Sequence, residues 1–261
     1  MAAAARLKRD TAVPRLLAAA VLLGGWQALA SSGLLFRDVV PPLSAIATGI
    51  AGVLGAGAFW GNALVTGGEL LVAMAAGGGA GLLVGLLLGS VRFLSAALER
   101  WVAFLGPTPK IVLFPVLLLM FGVGAGSKMA MGAVSCFFPV ALAVAAGVRS
   151  VDPKLLLVGR SFRAGRWATV TKIVLPAMAA PLVTGARLGF GVALIGVLLA
   201  ETKLSNQGVG FLIMQAFQRF DMPAMYGLLL VTVAFAAAVN VGTERLARRL
   251  AGRRTRGEGV P

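Results

Sequence analysis

The sequence predicts an all-α membrane protein of about six transmembrane helices, on three observations. First, 59% of its 261 residues are hydrophobic and 13% are charged, well below the roughly 25% charged share of soluble domains. Second, apolar stretches recur at about twenty residues, the length a helix needs to cross roughly 30 Å of hydrocarbon. Third, the cations gather where those stretches end, eighteen of the 24 on one side and four on the other. Under the positive-inside rule that bias puts both termini of a multi-pass protein in the cytoplasm. A net charge of +15 would suit nucleic acid on a soluble fold with a basic stripe, but cations confined to segment ends exclude that partner and make the lipid bilayer the surroundings. With no His and a single Cys, Cys136, intrachain disulfides, Cys or His zinc sites and His-based catalysis are excluded. No catalytic residue, metal ligand or bound cofactor is expected.

Residues 1–15, with Arg6, Lys8, Arg9 and Arg15, read as a cytoplasmic tail. The first span is placed at 16–35. Its apolar run ends Ala28-Leu29-Ala30 before Ser31, which also fits a cleavable signal peptide. Val39 to Asn62, with Pro41 and Pro42, reads as an outside loop containing a short, shallow helix. The core is placed at 60–245 and its first span at about 70–90. There Gly77, Gly81, Gly85 and Gly89 stand four residues apart and make one smooth face for close helix packing. Neither a strand nor a G-x-G-x-x-G turn supports a ligand-binding glycine loop instead. Glu69 stands at the outer mouth of that span, and Arg92, Glu99 and Arg100 mark the cytoplasmic turn after it.

The third span, about 101–121, is interrupted by Pro107, Pro109 and Pro115 and carries Lys110 at depth. Broken membrane helices are tolerated where the freed backbone lines a cavity or is buried in protein, so Lys110 either borders a translocation route or snorkels to the interface. The outside turn from Gly122 to Lys128 leads into the fourth span, about 129–148.

Residues 149–176 hold six cations against one acid, Asp152. A central Arg or Lys costs roughly 3 kcal/mol in the bilayer, so this loop lies outside it. Asp152 followed by Pro153 predicts an N-cap with proline at the first helical position. Leu155, Val158 and Phe162 form one face; Ala164 and Gly165 are expected to break the helix; Trp167, Val170 and Val174 form a second stripe that stops before Pro176. One reading is a basic helix lying on anionic lipid. The turn and the direct return into an apolar segment favour a projecting knob for a partner.

The fifth span, about 177–200, contains Arg187, and Glu201 closes it. An intramembrane arginine marks a functional site by default, or it pairs within the bundle. The outside loop from Thr202 to Pro223 carries an amphipathic helix over Phe211 to Phe220; the last span is placed at about 224–241, and 246–261 is a basic cytoplasmic tail. No G-x-x-x-x-G-K-[ST] phosphate loop occurs, and no carboxylate sits mid-span to relay protons. Pumping would therefore need a motor on another chain. A motor-independent channel or secondary carrier is the alternative.

At the 149–176 loop the sequence resembles the permease subunits of ATP-binding-cassette importers. Their cytoplasmic signature reads E-A-A, three residues, G, nine residues, I-x-L-P. Ile173, Leu175 and Pro176 match its end, SFRAGRW (Ser161 to Trp167) resembles the family's SLGASRW, and SVDPKLL its entry. Leu157, Val158 and Gly159 stand at the E-A-A positions and Arg163 at the glycine. The likeness runs from about Trp60 to Leu250, and Pro107–Gly124 with Ser205–Ile213 carry a narrower one to the taurine, nitrate, sulfonate and thiamine-precursor branch. The resemblance implies a type I importer permease, not an enzyme, working as a homodimer. It implies an ATPase dimer that binds ATP and Mg, and an extracytoplasmic substrate-binding protein. Asp152, Pro153, Ser161, Phe162, Arg163, Ala164, Gly165, Arg166, Trp167 and Pro176 would couple to the ATPase, with Lys110, Arg187 and Glu201 as candidates for the translocation path.

Overall fold

The computed structural model describes residues 12–34 and 39–255, and every regular element among them is helical. In chain order they are α1 Ala12–Ser31, α2 Leu43–Gly55, α3 Gly57–Ser90, α4 Arg92–Leu105, α5 Lys110–Phe121, α6 Ala125–Arg149, α7 Pro153–Ser161, α8 (166–177), α9 Ala179–Lys203, α10 Val209–Gln218 and α11 Met222–Thr255. Helices α3, α6, α9 and the Met222–Arg245 part of α11 are long and apolar enough to cross a membrane. Helices α4 and α5, bent by 92° at their junction, pass the same test as one broken span, and Leu16–Ser31 is a shorter apolar helix. The break falls at 106–109, where Pro107 and Pro109 remove two backbone donors.

Several boundaries differ from the sequence expectation, each for a physical reason. Helix α1 ends at Ser31 rather than running toward residue 35: the Ser31 hydroxyl turns back onto the carbonyls of Gln27 and Ala28, and Gly33 takes a φ of 69°. Helix α3 begins at Gly57, not near 70: Thr66 and Glu69 are buried on one face, where Asn62 and Thr66 accept backbone N–H groups. The cytoplasmic turn expected around Glu99 is itself helical, within α4. Helix α11 carries on through the basic residues to Thr255; residues 256–261 of the tail lie outside the described part, as do 1–11.

The chain divides into two compact units. The first comprises the residues up to Trp60 with Leu212–Thr232. In it Gln27 accepts the backbone N–H of Leu43 at 3.0 Å and the Trp26 indole donates to the Pro41 carbonyl at 3.1 Å, so the end of α1 holds the start of α2. Trp26 also meets Tyr226 edge-to-face at 5.4 Å.

The second unit comprises Gly61–Phe211 with the chain from Val233. Helix α6 is its centre. A Cβ added at Gly77, Gly81, Gly85 or Gly89 of α3 would collide with α6, at Ala133, Phe137, Ala141 and Val148 in turn. From the other side Gly185, Gly189 and Gly196 of α9 lie against α6. Helices in lipid gain little from a hydrophobic drive, so this close approach is what lets dispersion hold them together. The contact buries Cys136, Val140, Val144, Ala193, Leu194 and Val197.

Candidate functional site

The loop between α6 and α9 folds as an elbow. Asp152 Oδ1 accepts the Lys154 N–H at 2.8 Å, and Pro153 occupies the first turn of α7. The left-handed residue that ends the helix comes two positions earlier than the glycine suggests. The Arg163 N–H donates to the Arg160 carbonyl at 2.9 Å and the Ala164 N–H to the Gly159 carbonyl at 2.9 Å, the paired bonds of a Schellman motif. Arg163 is the left-handed residue, at φ 51°, the position where glycine is usual because a Cβ crowds the following carbonyl. Gly165 keeps an ordinary φ, and its carbonyl accepts the Thr169 N–H at 2.9 Å as α8 begins. Helix α8 passes through Pro176 instead of stopping before it. A π turn at Val170–Val174 precedes the proline and absorbs the missing donor, and the chain breaks at Met178.

The elbow has an anchored face and a bare one. Val151, Val174 and Met178 pack on Val140 and Val144 of α6, and Ile173 lies against Gly159. On the other face Phe162 is 82% exposed and Trp167 80%, with Leu157 and Val158 more than half exposed. The Ser161 hydroxyl is turned onto its own helix, at the Leu157 carbonyl. Arg149 at the elbow's entry makes a two-pronged pair with Glu99 of α4, at 2.6 and 2.8 Å.

The three charged residues expected along a path are not brought together. Lys110 stands at the α4–α5 break, where its ammonium donates to the carbonyls of Gly106 and Thr108 and lies 5.1 Å from the centre of the Phe138 ring. It closes carbonyls that the break leaves without helical partners. Arg187 lies 4.0 Å from Glu244 of α11. Glu201 is 1% exposed, its two oxygens engaged by the Thr66 hydroxyl and the Gly210 N–H.

That engagement is a second site, which sequence reasoning missed. Helix α10 begins with no cap of its own. Its first N–H groups are met from other helices: Gly208 by Asn62 Oδ1 at 2.6 Å, Val209 by Thr66 Oγ1 at 2.8 Å and Gly210 by Glu201 Oε2 at 2.6 Å. The Thr66 hydroxyl donates in turn to Glu201 Oε1 at 2.7 Å. Gly208 has φ 104°, and a side chain there or at Gly210 would strike the Glu201 carboxylate. Glu69 of the same α3 face is also buried, and its Oε2 has no hydrogen-bond partner. Lys128, counted by sequence among outside-loop cations, is instead buried in the first turn of α6, donating to the carbonyls of Val123 and Gly124 at 2.7 and 3.1 Å. It acts electrostatically on both acids. The available signal was the spacing of Asn62, Thr66 and Glu69, four and three apart, which is one helix face.

Among the described residues no group of three or more His, Cys, Asp or Glu is placed to hold a metal ion. Residues 77–256 match the family described as the binding-protein-dependent transport system inner membrane component. The chain is 30% identical over 203 residues, 78% of its length and 74% of the relative's, to a putative aliphatic sulfonates transport permease protein SsuC of Bacillus subtilis. It is 25% identical to the taurine transport system permease protein TauC of Escherichia coli, over 88% of this chain and 86% of that one. A solved chain of the MetNI methionine ABC transporter, in an inward-facing conformation, superposes with a TM-score of 0.60 at 16% identity, covering 80% of this chain and 97% of that one, which gives the type I importer permease fold. The chain therefore belongs to the binding-protein-dependent transport system inner membrane component family: it is the membrane subunit of an ABC importer, with binding-protein and ATPase partners, no cofactor of its own and ATP hydrolysis left to a partner chain.

Proposed function

We propose that this chain forms the translocation path for a small sulfonate, in the manner of an alkanesulfonate or taurine, across a bacterial inner membrane. Two copies enclose the path, each crossing six times with both termini in the cytoplasm and α1 as the first span. The single observation that carries the coupling half of this reading is the bare face of the elbow, with Phe162 and Trp167 about four-fifths exposed. Large apolar side chains clustered in water mark a protein interface. Ser161 to Trp167 present this face to an ATPase dimer holding ATP and Mg, with Asp152 and Pro153 fixing the helix start and Arg163 meeting an acidic rim. ATP binding closes the motor pair and biases the spans outward; hydrolysis releases them. The relatives named for sulfonates and taurine support the substrate class. Lys110 and Arg187 are compatible with an anion, although each has a protein partner.

The test is purification of the chain with its ATPase and binding protein, followed by ATP-driven uptake of taurine and of an alkanesulfonate in sealed vesicles. Arg163→Ala with Trp167→Ala is expected to lose the ATPase and the uptake together. Retained ATPase binding with unchanged uptake counts against the elbow's role, and uptake without nucleotide counts against the motor.

A further inference from the structure

A helix start that needs only capping draws on a Ser, Asp or Asn beside it. Here the neighbouring Ser205 is occupied locally, donating to the Gln207 carbonyl at 2.6 Å. The N–H groups of Gly208, Val209 and Gly210 are reached instead from two different spans, by Asn62 and Thr66 of α3 and by Glu201 of α9. Burying a carboxyl group at 1% exposure is costly unless its oxygens are well bonded, so these bonds are favoured over any arrangement that opens them. Two glycines clear the space. The bond from Thr66 to Glu201 closes the circuit between α3 and α9.

We propose that Glu201 is a positioning residue for transport: with Thr66 and Asn62 it clamps the 208–210 backbone, so that the loop after α9 and the ends of α3 and α9 beside it shift together when the pathway changes state. An event on the binding-protein side that moves this loop then reaches two spans at once. The inference rests on the importer reading above.

The experiment uses the full chain in lipid nanodiscs, alone and assembled with its ATPase and binding protein. Glu201→Ala is expected to speed amide exchange at 208–210 by at least about tenfold and to reduce the binding protein's stimulation of ATP hydrolysis by a similar factor. Glu201→Gln, which keeps one acceptor oxygen, should restore most of both. If Glu201→Ala fails to fold, Asn62→Ala removes one bond and should give the same changes at roughly threefold. Unchanged exchange in these variants overturns the clamp, and faster exchange with full stimulation overturns its role in transport. A wild-type complex that shows no stimulation overturns the importer reading itself, while exchange still decides whether the clamp exists.

Discussion

The two ends of α9 have opposite polarity. At the elbow, large apolar side chains are uncovered: Phe162 is 82% exposed and Trp167 80%. At the clamp, charged side chains face inward: Glu201 is 1% exposed and Lys128 2%. Both reverse what a solvated loop ordinarily shows. In the clamp the reversal is complete within the chain, because the Glu201 oxygens and the loop's N–H groups satisfy one another. In the elbow it is incomplete, because nothing among the described residues covers the aromatics. A region satisfied by its own residues holds a shape; a region left unsatisfied on one face takes a partner.

The largest expected effect breaks the elbow side of this contrast. Replacing Phe162 and Trp167 together with Ser should weaken ATPase binding by at least about 2 kcal/mol, roughly thirtyfold in Kd, with helix content unchanged by circular dichroism. Lost helix content would mean that the aromatics serve the fold and not a partner. Next, Gly208→Ala should destabilise the clamp by about 1–3 kcal/mol, from strain at φ 104° and crowding of Glu201; thermal unfolding in detergent reads it. Arg163→Gly should stabilise the elbow by about 1 kcal/mol by easing the left-handed turn, seen as about fivefold slower exchange at 163 and 164, while removing the cation offered to the ATPase. It thereby separates the elbow's shape from its charge. Smallest of all, Glu69→Gln should change stability by no more than about 0.5 kcal/mol, since the amide keeps the carboxyl's shape at a side chain whose Oε2 has no partner. A large loss in thermal unfolding would show that Glu69 accepts bonds an amide cannot.

The elbow was largely legible because its signals are local. Asp152-Pro153 specifies a helix start from adjacent residues, but the apolar stripes do not tell which face turns inward: Val174 is buried, while Phe162 and Trp167 of the same stripes are exposed. Its turn was misplaced by two residues because glycine is the usual left-handed residue, and a left-handed Arg163 leaves no mark in composition. Pro176 was read as a stop for a similar reason: the π turn that accommodates it is a property of the backbone before it. The clamp was illegible because its bonds join residues far apart in the chain; Thr66 and Glu201 are 135 positions apart. For the same reason the sequence reads as loop as far as Asn62 where the structure has helix from Gly57, since the partner of Asn62 comes from elsewhere in the fold.

Helix α9 runs 25 residues without interruption, about 37 Å at 1.5 Å per residue, and only Met178 separates it from the elbow. That residue is wholly buried, a hinge pin set in packed side chains. A pivot of about 10° there would swing the far tip of the rod by about 6 Å. The geometry is that of a lever arm, in which a small rotation at the elbow becomes a stroke about as long as a helical turn at the far end of the helix.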